Sequence, residues 1–315
     1  MRVFRKMVSF ALAALTVSGC AGAAGSTFSA ARSMVRANHS WMRVGTSKVN
    51  LLYVGDGVAG VLVYDDKAPS FPIVGVLNEP AIPGGQCVDP AQNVFIPDSS
   101  SDSRVIYEYA HGSTEPMQIL GGMHDTPLAC SSDPETGNLA VLSEAGVSVY
   151  RGAKGKPVPY PAPDVIYGIA YDTEGDLLVD GSGYTSKGLM LKLWSMPVGK
   201  TSFQQLTVKR IVQEAGSMFW DGNSLIVADR TASVLYEFKI AGKSAKQTGS
   251  TPLKGAYTLQ SFFVFDGKAI VPSYNGSSAL VGIYPYPKGG AISSSIDGVS
   301  VPLSAAVSAA AESKV

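Results

Sequence analysis

Cys87 and Cys130 each belong to a short run of small residues that ends in aspartate, Cys87-Val88-Asp89 and Cys130-Ser131-Ser132-Asp133. Thiols in such matched positions either couple as a disulfide or pack as small buried groups. A thiol nucleophile would need a base, and no spacing links His39, His111 or His124 to either cysteine. Gly55-Asp-Gly-Val-Ala-Gly60 has the spacing of a dinucleotide-binding loop. That chemistry requires a helix N-terminus next, whereas Val61-Leu62-Val63-Tyr64 is a strand former, so the segment reads as a turn. Asp172, Glu174 and Asp176 mimic the start of a calcium loop, but Gly175 and the apolar run from Leu177 favour a tight turn. Asp98 and Asp102, in a serine-rich loop, share that ambiguity, which leaves calcium as the one ion held open. The chain contains no H-E-x-x-H, C-x-x-C or G-x-S-x-G pattern. No catalytic constellation, cofactor or metal ligand set is therefore assigned, and the enzyme question stays open, leaning to no.

The elements that would position these residues repeat. A turn residue, a β-rich run and then Asp, Ser or Gly recur as Asn50–Asp56, Asn93–Asp98, Asn138–Ser143, Asp176–Gly181, Ser224–Asp229 and Lys268–Ser273. The period of about 44 residues suits four short strands with their turns. A small-residue strand ending in an acidic turn precedes each run except the first. An alternating strand such as Val105–Tyr109 or Val234–Phe238 follows, and then a weaker polar strand. In the third unit the outer position falls to the proline-rich stretch 156–163, which an edge tolerates because it needs no ladder donor. The missing first strand is supplied by the C-terminus, where Pro302–Ser308 reads like Pro127–Ser132. The expectation is all-β: a six-bladed β-propeller of four-stranded antiparallel blades over residues 49–310, closed by the C-terminal strand completing blade 1. Closure removes the sheet edges that would otherwise pair with other chains.

Two site expectations follow. Cys87 and Cys130 fall on innermost strands of adjacent blades, which converge at the axis, so a disulfide is expected, with buried thiols the other outcome. The repeat aspartates have two readings. Each can accept N–H groups in its own loop. Alternatively, Asp56, Asp98, Arg104, Asp180, Tyr184, Asp229, Arg230 and Tyr274 rim a polar basin on one loop face, the usual place for binding on a rigid scaffold.

The 315 residues carry 25 basic and 25 acidic side chains, with 45% hydrophobic and 16% charged residues. This content can build a core, excluding disorder, and the absence of basic excess argues against a nucleic-acid partner. A monomer is expected. At the N-terminus, Arg2, Arg5 and Lys6 precede the apolar run Met7–Val17, which is too short to span a bilayer as an anchor. Val17-Ser18-Gly19-Cys20 follows and resembles the lipobox of bacterial lipoproteins. That resemblance implies a signal peptide of residues 1–19 and acylation of Cys20. It further implies a periplasmic or extracellular location at a membrane. The Ala-, Ser- and Gly-rich stretch that follows reads as a flexible tether over residues 20–48, with Trp41 and Met42 expected to pack onto the domain near its end. The mature chain would hold 22 basic and 25 acidic residues, a charge of −3.

The repeat, with Asp56, Asp98 and Asp229 closing three of its β-rich runs, resembles the NHL-type six-bladed propellers. Ser143, Gly181 and Ser273 replace the aspartate in the other units, and only Arg104 and Arg230 match the family's arginine. The lipobox, Glu108-Tyr-Ala-His-Gly112 and Asp133–Val141 further resemble bacterial lipoprotein propellers without an assigned activity. A closed repeat fold with no catalytic constellation leads to the expectation of a membrane-tethered module that binds or scaffolds a protein, peptide or glycan through its loop face. The alternative is a metal-dependent lactonase- or lyase-type enzyme, which would need carboxylates at the axis. The inner strands instead offer Cys87, Ala129, Ala170, Met218 and Ala305.

Overall fold

The computed structural model describes residues 39–67 and 69–311. The expected signal segment, Cys20 and the expected tether up to residue 38 lie outside the described residues. Every sheet is a blade. Blade 1 runs from the axis outward as Pro302–Ser308, Leu51–Asp56, Gly60–Asp65 and Ile73–Leu77, with Trp41–Met42 as a fifth strand. Blade 2 is Cys87–Val88, Val94–Pro97, Ile106–Tyr109 and Pro116–Leu120. Blade 3 is Ala129–Ser132, Leu139–Ser143, Gly146–Tyr150 and Val158–Pro161. Blade 4 is Ile166–Tyr171, Leu177–Thr185, Gly188–Met196 and Gln204–Leu206, with Ile211–Val212 also on its third strand. Blade 5 is Ala215–Trp220, Leu225–Asp229, Val234–Ala241 and Ser244–Lys254, which Gly290–Ala291 joins in parallel. Blade 6 is Phe263–Phe265, Lys268–Tyr274, Ala279–Pro285 and Ser294–Ile296. The helical content of the described residues is two three-residue 3-10 turns, Thr46–Lys48 and Arg151–Ala153.

Blade 1 pairs its first and last segments, as the sequence requires. Leu51 faces Ser308 and Asp56 faces Pro302 in an antiparallel ladder. The folded unit starts before the expected boundary at residue 49, because Trp41 pairs with Val76 and Met42 with Gly75.

Burial explains why the β-rich runs are apolar throughout rather than alternating. Each second strand lies between two neighbouring blades, so both of its faces are covered. Leu51 and Tyr53 pack with Val94 and Ile96 of blade 2, whereas Leu52 and Val54 pack with Ile270 and Val281 of blade 6. Leu225 and Val227 likewise face blade 4, and Ile226 and Ala228 face blade 6. The core is thus six wedges, one per blade junction, rather than one central cluster. The proline-rich segment does form the outer strand of blade 3, where Tyr160 pairs with Val147.

Candidate functional site

Four of the eight residues expected to rim a basin have buried side chains. Asp56 Oδ1 accepts the N–H groups of Val58 and Ala59 at 2.7 and 3.2 Å. Its Oδ2 accepts those of Ser300 and Val301 at 2.6 and 3.4 Å. Asp98 Oδ1 accepts from Ile82 at 3.3 Å and Ser100 at 3.1 Å. Asp229 accepts from Gln213, Glu214 and Ala232. Each carboxylate therefore ties its own turn to the segment leading into the inner strand of the same blade. This is the loop-holding reading, extended to a second loop. Where Gly55 precedes Asp56, an added Cβ would overlap Ser304 Oγ, and Gly60 turns the chain at φ +82° into the third strand. The G-x-G-x-x-G spacing thus serves a turn and a close approach of strands.

Asp180 is one position out of phase with the other three. Glycine occupies the equivalent position, since Gly181 pairs with Ile166 as Asp229 pairs with Ala215. The Asp180 side chain consequently points at the bulge of the blade 4 inner strand and is fully buried. The N–H groups of Gly168 and Tyr167 face it, but neither reaches hydrogen-bond geometry, and both oxygens lack a partner. Burial pushes this carboxyl up to about 8.

The remaining four are scattered. Arg104 is exposed, and Tyr184 is 90% exposed near the tip of the long blade 4 hairpin. Tyr274 donates its hydroxyl to Gly276 O in its own turn. Arg230 donates Nε–H to Leu259 O at 3.1 Å and pairs through Nη1 with Glu214 at 2.9 Å, joining blades 5 and 6. Of the eight residues, Arg230 alone lines the axial cavity. At the other end of the blades, Asp172 Oδ1 accepts from Glu174 and Asp176, closing the tight turn that imitates a calcium loop. Among the described residues no group of three or more His, Cys, Asp or Glu side chains is placed to hold a metal ion.

The axis itself is stitched from blade to blade. Cys87 and Cys130 form a disulfide across a Cα–Cα distance of 5.6 Å. Beside it, Gly85 N–H donates to Leu128 O and Cys130 N–H to Gly85 O, a parallel contact between the inner strands of blades 2 and 3. Ser261 and the closing strand repeat this pattern between blades 6 and 1. Ser131 Oγ accepts Tyr171 N–H between blades 3 and 4, and Ser217 donates to Gln260 O between blades 5 and 6. Trp220 Nε1 donates to Thr173 Oγ1 between blades 4 and 5. Small inner-strand residues permit these approaches: a Cβ at Gly85 would overlap that of Ala129.

Inside this ring lies a cavity of about 790 Å³. Its lining extends from an upper mouth, on the face where inner strands begin, to the turns at Pro134, Thr173 and Gly222. Tyr167, Met218, Phe219, Trp220 and Phe263 give it an aromatic and apolar wall. Asp, Glu, His and Lys are missing from that lining, and Arg230 is its one charged group. At the upper mouth Ile82, Leu128 and Tyr167 remain 39, 37 and 39% exposed. Sequence reading missed these three. Their signal is a bulky apolar residue next to, or within, a small-residue inner strand, where packing does not require one.

No protein-family model matches the chain, and no curated protein sequence matches it. Among solved structures, one titled as the crystal structure of a nidogen/laminin complex aligns with a TM-score of 0.62 at 13% identity, covering 83% of this chain and 99% of that one. A protein of unknown function from Bacteroides caccae aligns with a TM-score of 0.59 at 10% identity, covering 82% and 98%. At such identities the likeness is one of fold, and the fold is the six-bladed β-propeller.

Proposed function

We propose that the chain is a lipoprotein, acylated at Cys20, whose propeller is a binding module held at a membrane, a divergent relative of the NHL-type propellers. Its ligand is taken at the upper mouth of the axial cavity. The observation that carries this reading is the row of Ile82, Leu128 and Tyr167 on the adjacent blades 2, 3 and 4, left more than a third exposed at the mouth of a cavity within the size range of small-molecule sites. Exposed apolar side chains that converge on a concavity mark binding surfaces, whereas scattered ones do not. The lactonase-type alternative has less support, because the lining provides no carboxylate or imidazole to bind or activate anything at the axis. The lipobox supports the tether, and no helix of the described residues is long and apolar enough to cross a membrane. The nidogen/laminin likeness fits a propeller used for recognition, at the level of fold alone.

Two measurements test the proposal. Metabolic labelling with a palmitate analogue should mark the wild type and not Cys20→Ala, and the variant should leave the membrane fraction. A photo-crosslinking residue at position 128 should capture a ligand that the same residue at position 117, on the outer strand of blade 2, does not. Equal labelling of both chains would remove the tether, and equal capture at both positions would remove the mouth as the binding face.

A further inference from the structure

The chemistry of the axial cavity narrows what it would accept. This step rests on the upper mouth being the binding face. We infer that the cavity is a site for a small, uncharged, aromatic-ring ligand that carries a hydrogen-bond donor. Size comes first. About 790 Å³ sits within the range of small-ligand pockets and is far below what a folded partner would need. Charge comes second. The one charged lining side chain, Arg230, is already neutralised by Glu214 at 2.9 Å and bonded to Leu259 O. A ligand carboxylate or phosphate would meet a guanidinium whose charge Glu214 already offsets, and a ligand cation would find no carboxylate in the lining.

The wall chemistry comes third. Tyr167, Met218, Phe219, Trp220 and Phe263 all lie in the lining, a composition that favours planar rings. Polarity comes fourth. Gln86 lines the cavity, is only 6% exposed, and bonds through Nε2 to Ser304 Oγ at 3.0 Å. Its Oε1 is buried without a partner. A buried amide with one end bonded and the other unpaired carries a desolvation cost that a ligand O–H or N–H would relieve. The apolar wall and the unpaired Gln86 acceptor together point to a neutral ring compound with a donor.

The probe is trans-4-hydroxystilbene, a neutral planar molecule with one phenolic O–H, with its methyl ether as the donor-free control. Added to the purified propeller, the phenol should bind saturably at one site with a Kd on the order of 10 µM. Leu128→Asp and Tyr167→Asp, each at an exposed position of the mouth, should weaken it about tenfold. Met117→Asp, at an apolar position 60% exposed on an outer strand, should leave it unchanged. The methyl ether should bind several-fold more weakly than the phenol. Unfolding midpoints of all variants, measured alongside, separate lost binding from lost structure, and two independent mouth variants guard against one that misfolds. Absence of saturable binding, indifference to both mouth variants, or equal affinity of phenol and ether would overturn the inference. If position 128 still captures a ligand while the stilbene does not bind, the ligand class fails and the binding face stands.

Discussion

Asp56 Oδ2 accepts the backbone N–H of Ser300 at 2.6 Å, across 244 residues of sequence. One carboxylate therefore holds the turn after the second strand of blade 1 and also the approach of the strand that closes the ring. Removing it takes the shared acceptor from four N–H donors at a part-buried loop junction. Asp56→Ala should lower the unfolding free energy by about 3 kcal/mol. Asp98→Ala, which gives up two longer bonds, should cost about 1 kcal/mol. Urea unfolding of the variants checks the order. Equal small losses would mean that these carboxylates are not what holds the loops.

The Cys87–Cys130 disulfide ties blade 2 to blade 3 with a sequence separation of 43. Closing a loop of that length in the unfolded chain should stabilise by about 4 kcal/mol in the chain-entropy account, and somewhat less in practice. The pair is backed by the parallel backbone contact at Gly85 and Ala129, so the ring should survive its loss. The double variant Cys87→Ser, Cys130→Ser should fold with an unchanged far-ultraviolet spectrum and unfold at lower urea. Failure to fold at all would make the bridge a condition of closure rather than an added brace.

What could be read beforehand follows from what repeats. The second strand of every blade sits between two wedges, which forces a solid apolar run, and the runs made the blade count legible. Ring closure was legible because Pro302–Ser308 resembles the other inner strands in composition. The site was not. Asp56, Asp98 and Asp229 stand where binding loops stand on a propeller, and composition does not tell a carboxylate turned toward backbone donors from one turned toward solvent. Asp180 and Asp229 illustrate the limit: they look interchangeable, yet a one-residue offset sends Asp180 to the opposite face of its strand. Ile82, Leu128 and Tyr167 escaped notice because a lone bulky apolar residue ordinarily reads as core, and its exposure depends on five other blades.

That offset gives a pH prediction. Burial pushes the Asp180 carboxyl from its ordinary 3.8 up to about 8, so between these values the folded chain keeps a proton that the unfolded chain has lost. Stability must then fall as pH rises through this window, because the folded state binds more protons. Asp180→Asn removes the titration while keeping the shape. Its melting temperature relative to wild type should rise between pH 4 and pH 8, by about 10 °C at the upper end. A difference that stays constant across the range would show that the carboxyl ionises normally in the folded chain.

The closing strand offers the sharpest test of the architecture. Ala305 and Val307 complete the wedge between blades 1 and 6 with Leu52, Val54 and Ile270, and Ser308 pairs with Leu51 at the far end of the ladder. A chain that stops before Pro302 would expose this apolar wedge together with the unpaired inner edge of Leu51–Asp56. Such an edge recruits other chains. The truncated protein should therefore aggregate, or elute as a mixture of oligomers in size-exclusion chromatography. Adding a peptide of residues 300–311 during refolding should restore a monomer. A stable, cooperatively unfolding monomer without that peptide would mean that blade 1 can stand with its inner position empty, and that the ring is not held by its last strand.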